Sequence, residues 1–186
     1  MMNKKEIKSG IKGFWGAATV ILAFGLLLMS SCLPDVEQLT PQQALDQQIA
    51  SVNKAQLEAD LKIIDDSLVR WGLTASKEPN GVRYLVQEAG TGAKPTLNNI
   101  IVAKYTGKLL KTGAVFAPTD TITIHLYDLI VGWQTTLPYI SKGSKVTLYI
   151  PSGYGYGAVD IRDNQGAVLI PRNSNLIFDI ELLDVK

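Results

Sequence analysis

Cysteine and histidine, which carry much of polar protein chemistry, occur once each, as Cys32 and His125. One cysteine excludes an internal disulfide framework and a cysteine-cluster zinc site, and one histidine argues against a His-rich metal centre or a Ser-His-Asp triad. Asp160, Asp163 and Asn164 lie close together, but not at the spacing of a calcium loop. Gly90-Thr91-Gly92 lacks a third glycine and a following helix, so no phosphate role is assigned to it. His125 reads as a strand surface residue without a proton-transfer role. What the second half of the chain does supply is aromatic: Tyr105, Phe116, Trp133, Tyr156 and Phe178. Such side chains fill a core more often than they line a pocket. Tyr154 and Tyr156, flanked by glycines, read instead as exposed and deliberately placed.

The composition narrows the field further. The chain has 186 residues, 46% apolar and 19% charged, with a formal net charge of +1. It can bury a core, and its charge balance argues against a nucleic-acid binder that relies on a dense basic face. Four lysines (Lys4, Lys5, Lys8, Lys12) precede an uncharged run from Phe14 to Met29, shorter than the roughly 20 residues of a bilayer span. This is the pattern of a secretory signal. Met29-Ser30-Ser31-Cys32 then resembles a bacterial lipobox. The expected division is a signal peptide over 1–31, lipidation at Cys32, a tether over 32–39, and a mature chain of 155 residues with a net charge near −2. A plain signal peptide or an anchor helix with an incidental cysteine is the alternative.

The aromatic residues must be positioned by the remaining elements. Residues 40–73 read as a helical extension. Thr40, Pro41 and Gln43 make one helix start, and Asn53 with Gln56 makes a second, with Val52 placed to staple against Leu57. Leu57, Leu61, Ile64, Leu68 and Trp71 recur at helical spacing, and Gly72 closes the run. That stripe is expected to pack on the protein's own domain, which favours a monomer over a helix-mediated dimer, since two heptads are short for a coiled coil. From Gly81 the period changes to two. Strands are expected over Val82–Val86, Asn99–Leu110, Ala114–Phe116, Thr121–Leu126, Ser144–Ile150 and Asn175–Leu183, with one short helix opening at Leu129–Trp133 and ending before Pro138. A loop of about 24 residues, Pro151–Ser174, is long enough to suggest function. The fold class is α+β, an antiparallel sheet around one short helix, preceded by a helical segment.

Four pieces of this region carry a resemblance. They are Ala103–Leu109, Leu129–Trp133, Tyr154-Gly155-Tyr156-Gly157, and Ile170-Pro171 with Leu176–Leu183. In this order and spacing they resemble FKBP-type peptidyl-prolyl isomerases over residues 81–186. The resemblance implies an FKBP-like domain there and catalysis of proline cis-trans isomerisation without metal or cofactor. It implies that Trp133 floors a proline pocket walled by Tyr105, Phe116, Leu129, Ile130, Ile170 and Phe178. It further implies that the Tyr156 hydroxyl and the Ile130 amide hold substrate carbonyls. The implied partners are proline-containing unfolded or exported polypeptides, macrolide inhibitors, and a membrane reached through the lipid on Cys32. The implied location is the cell envelope, on an outer membrane facing periplasm or exterior. Two positions depart from the family pattern. Ala117 stands where an aspartate commonly follows the Phe116 equivalent, and neither Asp120 nor Ile122 supplies the aromatic expected nearby. An FKBP-like binding or chaperone module with weak or no isomerase activity is therefore the alternative function.

Overall fold

A computed structural model describes residues 38–186; the expected signal peptide, Cys32 and most of the tether lie outside the described residues. Helix α1 (Pro41–Ser51) starts as a closed capping box: the Gln43 N–H donates to the Thr40 hydroxyl, and the Gln43 side chain accepts from the Thr40 N–H. Helix α2 (Lys54–Arg70) begins at Asn53, whose side-chain oxygen accepts from the Gln56 N–H. The Gln56 side chain does not close a second box. It donates along the helix to Asp60 at 2.9 Å. Gly72, at φ +67°, ends α2, and the Leu73 N–H closes back to the Leu68 carbonyl. No helix among the described residues is long and apolar enough to cross a membrane.

The strands are β1 (Ser76–Lys77), β2 (Arg83–Glu88), β3 (Ile100–Leu109), β4 (Val115–His125), β5 (Lys145–Ile150), β6 (Ile161–Arg162), β7 (Val168–Ile170) and β8 (Leu176–Val185). Six of them form one antiparallel sheet in the order β1-β2-β5-β8-β3-β4, and β6 pairs with β7 as a separate hairpin inside the long loop. The two separate runs expected at Ala114–Phe116 and Thr121–Leu126 are one continuous strand. Pro118 suggests a break, but β4 is the sheet edge, where a missing N–H costs no ladder bond.

The sheet is apolar on both faces where it meets helices. Val146, Leu148, Ile150, Leu176, Phe178, Ile180 and Leu182 point into the main core. Helix α3 (Val131–Thr136) and its 3-10 extension (Leu137–Tyr139) add Trp133 and Leu137 to that core. Tyr149 and Ile177 point the other way and meet Ile64 and Leu68 of α2 in a second cluster with Leu110. The Leu57–Trp71 stripe thus packs on the chain's own sheet. Leu45, Ile49, Val52 and Leu57 carry the same covering round to the main core.

Two polar links lock α2 in place. Arg83, buried in β2, makes a bidentate pair with Asp65 at 2.8 and 2.9 Å and also donates to the Gly81 carbonyl. Chiefly through its hydrogen bonds to that carboxylate, Arg83 holds Asp65 below its usual range. Asp60, 1% exposed, accepts from the Ser152 hydroxyl at 2.5 Å and the Ser152 N–H at 2.9 Å.

Candidate active site

The site starts from two close approaches that only glycine permits. A Cβ on Gly132 would sit 2.6 Å from the Ile150 side chain, so glycine lets α3 lie tight on β5. That contact seats the next residue, Trp133, 2% exposed at the base of the site. A Cβ on Gly107 would sit 2.5 Å from the Phe116 ring and 3.0 Å from the Phe178 ring, so two aromatics lie directly over the β3 backbone.

The β3–β4 register explains how Phe116 gets there. Gly107 pairs with Ala117 and Lys108 with Val115, which leaves Phe116 as the extra residue of a bulge. A second irregularity follows at once, because Tyr105 pairs with Asp120 while Gly107 pairs with Ala117. Bulges re-aim side chains, and here one turns Phe116 onto Phe178.

The five aromatics expected to share a site are brought together. Trp133 meets Tyr105 and Phe178 edge-on, each with ring centres 5.4 Å apart. Phe178 meets Phe116 edge-on at 5.6 Å, and Phe116 meets Tyr156 edge-on at 6.4 Å. Edge-to-face contacts at these separations are the favoured aromatic geometry. The cluster grades from buried to open. Trp133 and Phe178 are buried, Tyr105 and Phe116 half-buried, and Tyr156 is 38% exposed. Ile170 is buried in the same core, and Leu129 and Ile130 pack on it partly exposed. Tyr154, expected to be exposed, is instead 3% exposed and belongs to the core. Its 3-10 turn (Ser152–Tyr154) directs it inward, while Tyr156 lies beyond the turn.

Polar groups at the site are few. The Trp133 indole N–H is buried without a hydrogen-bond partner among the described residues. Ile130 caps α3, and its carbonyl accepts from the Trp133 and Gln134 N–H groups. Its own N–H has no partner among the described residues. The buried Gln134 side chain donates to the Leu129 carbonyl at 2.6 Å and so fixes the segment carrying that amide. Burial, with Tyr105 adding to it, pushes the Tyr156 phenol above its usual range, so its hydroxyl stays a hydrogen-bond donor at neutral pH. Among the described residues no group of His, Cys, Asp and Glu could hold a metal ion.

The polar parts of the long loop are structural. Asp160 accepts from the Arg172 guanidinium at 3.0 and 3.2 Å and from the Arg172 N–H at 2.8 Å, and its pKa falls to about 2 mainly through those side-chain bonds. Asp163 accepts from the Gln165 and Ala167 N–H groups across the β6–β7 turn. His125 ends β4 and stacks on Tyr127 at 4.8 Å, away from the aromatic cluster. Sequence reasoning missed Asp60, Ser152 and Gln134. Asp60 does carry one readable signal: a carboxylate one turn before Ile64, on the apolar face of α2.

Residues 91–183 match the family described as FKBP-type peptidyl-prolyl cis-trans isomerase. The FKBP-type peptidyl-prolyl cis-trans isomerase FkpA of Buchnera aphidicola is 42% identical over 116 residues, 60% of this chain and 43% of the relative. The outer membrane protein MIP of Legionella longbeachae is 34% identical over 112 residues, 58% of this chain and 46% of the relative. The chain therefore spans about half the length of these curated relatives. The crystal structure of a peptidyl-prolyl cis-trans isomerase from Pseudomonas syringae superposes with a TM-score of 0.60 at 30% identity, covering 72% of this chain and 95% of that one. With an antiparallel sheet, a short helix bearing Trp133 and a family match over half its length, the chain belongs to the FKBP-type peptidyl-prolyl cis-trans isomerases.

Proposed function

We propose that the protein catalyses cis-trans isomerisation of Xaa-Pro bonds in unfolded or exported polypeptides. The observation that carries this reading is the graded aromatic cluster closed at its base by Trp133 and opening at Tyr156, with the Ile130 N–H left free beside it. The barrier to be lowered is about 18–20 kcal/mol and arises from C–N double-bond character. The planar amide is charge-separated and the twisted amide less so, so an apolar pocket favours the twisted form relative to water. In this reading the proline ring sits on Trp133, between Tyr105, Phe116, Ile170 and Phe178, with Leu129 at the rim. The Tyr156 hydroxyl and the Ile130 N–H donate to carbonyls on either side of the proline. Contacts realised best in the twisted geometry then lower the barrier. Macrolide inhibitors of this family would occupy the same space.

Ala117 favours a second reading, a binding or chaperone module with weak catalysis. It sits between the two irregularities of β4, next to Phe116, and offers no acceptor where the family commonly has an aspartate. A protease-coupled assay on a series of Xaa-Pro peptides separates the readings. Saturable turnover supports the isomerase. Saturable binding without turnover supports the module.

The cell envelope is the proposed location, with lipid on Cys32 as the anchor. The lysine-rich start and the Met29–Cys32 lipobox support this, as does the name of the Legionella relative. The Cys32→Ala protein should lose membrane partition or remain uncleaved. Unchanged partition and mass would contradict the anchor.

A further inference from the structure

Beside the aromatic cluster lies a cleft of about 580 Å³, within the range of about 300–1,000 Å³ typical of ligand sites. Gln48, Asn53 and Gln56, from the junction of α1 and α2, line it together with Gly153, Gly157 and Asn173. Val131 and Tyr156 also border it, so the cleft and the proposed proline site share a wall. Its helical side is held rigidly. Asp60 binds Ser152, and Val52 packs so close to Gly153 that an added Cβ would lie 2.6 Å from it.

The lining chemistry selects an occupant. No charged side chain borders the cleft, which leaves nothing to bind an anion or cation by charge. Amide side chains both donate and accept, and the glycines bare the main chain. The Gln48 and Asn173 side-chain amides have no partner among the described residues, and both residues are exposed. A purely apolar occupant would desolvate these amides without compensation. An extended polypeptide presents one N–H and one C=O per residue, which such a surface can match.

We propose that this cleft holds a neutral, extended stretch of the substrate polypeptide, on the Tyr156 side of the proline. The proposal rests on the isomerase reading for its register and deepens it: the α1–α2 junction becomes part of the substrate site. It makes recognition depend on peptide length and independent of charge.

The test uses fluorescently labelled Xaa-Pro peptides, one short and others lengthened with neutral residues on the amino or the carboxyl side. One of the two extensions should tighten binding about tenfold, as two net hydrogen bonds would, and the gain should persist at high salt. Gln48→Trp, which places a bulky ring in the cleft, should erase the gain while leaving affinity and turnover of the short peptide unchanged. Gln48→Ala should reduce the gain in the same direction. The proposal is overturned if neither extension tightens binding, if the gain collapses with salt, or if a folded Gln48→Trp protein keeps it. Turnover of short peptides without a length effect would remove the cleft and leave the isomerase. A Gln48-dependent length effect without turnover would remove the isomerase and leave the cleft.

Discussion

The described part of the chain holds two tryptophans, one on each face of the sheet, and they are held in different ways. Trp71 caps the C-terminal end of α2, is 43% exposed and lies tilted against Tyr149 at 6.2 Å. Trp133 sits on α3, is 2% exposed and is held edge-on by Tyr105 and Phe178. The α2 face is closed by aliphatic packing and by ion pairs such as Arg83–Asp65. The α3 face is closed by aromatic edges that grade outward to the half-exposed Phe116 and the exposed Tyr156. Aliphatic side chains interdigitate to fill space. Edge-to-face rings keep their flat faces for other partners, and here exposure rises from Trp133 to Tyr156. In the proposed reading one face stabilises the fold and the other receives the proline ring.

Substitutions that separate stability from activity test that contrast. The largest effect is expected at Trp133. Trp133→Ala removes a buried aromatic at a cost of about 3–5 kcal/mol, and isomerase activity should vanish even in the fraction that folds. Ile64→Ala, at a fully buried position on the opposite face, should cost about 2–5 kcal/mol and leave kcat/KM per folded molecule unchanged. Urea unfolding together with peptide turnover measures both. If Ile64→Ala abolished turnover by the folded protein, the two faces would not be functionally distinct.

Ala117→Asp should move activity the other way. Restoring an acceptor worth about 1.5–3 kcal/mol beside Phe116 should raise kcat/KM roughly ten- to hundredfold if it acts mainly on the transition state. The gain should fall short of that range if the missing aromatic near Asp120 or Ile122 is a separate deficit. Family-like activity already present in the unaltered protein would refute this role for Ala117.

Asp60→Ala links the faces. It leaves the buried Ser152 hydroxyl without its acceptor and the Ser152 N–H with only the Asn175 side-chain oxygen, so stability should fall by about 1.5–3 kcal/mol. Because Ser152 lies four residues before Tyr156, KM should also rise severalfold while kcat changes less. A stability loss with unchanged KM would confine Asp60 to a structural role.

The smallest effect is expected from Tyr156→Phe, about two- to tenfold in kcat/KM, the worth of one neutral hydrogen bond. Its pH dependence has a definite sign. The Tyr156 phenol is raised above its usual value of 10, so the donor is present below that value and is lost only as pH climbs through the higher one. The rate should therefore stay flat across neutral pH and fall only in strong alkali. A rate that changes between pH 6 and 8 would point to a different group.

Local features were legible in the sequence. The Thr40 capping box, the Asn53 cap, the Gly72 stop and the Leu57–Trp71 stripe each depend on residues within a few positions of one another. That the five aromatics cluster was legible only through four motifs in register, because residue types alone leave core and pocket undecided. The long-range polar pairs were not legible. Asp60 meets Ser152 across 92 positions and Arg83 meets Asp65 across 18, and no periodicity encodes either. The continuity of β4 through Pro118 was hidden because it depends on β4 being the edge strand. Tyr154 was misplaced because its neighbouring glycines resemble those of Tyr156, and the 3-10 turn that separates them is a tertiary feature.

The central claim is that the Trp133 face receives proline and the Trp71 face does not. Titrating nitrogen-15-labelled protein with an Xaa-Pro peptide reads both faces in one spectrum, since each indole N–H gives its own signal. The account predicts that the Trp133 indole and the Ile130 amide shift saturably with one dissociation constant while the Trp71 indole stays still. A stationary Trp133 indole at saturating peptide, or a shift confined to Trp71, would contradict it.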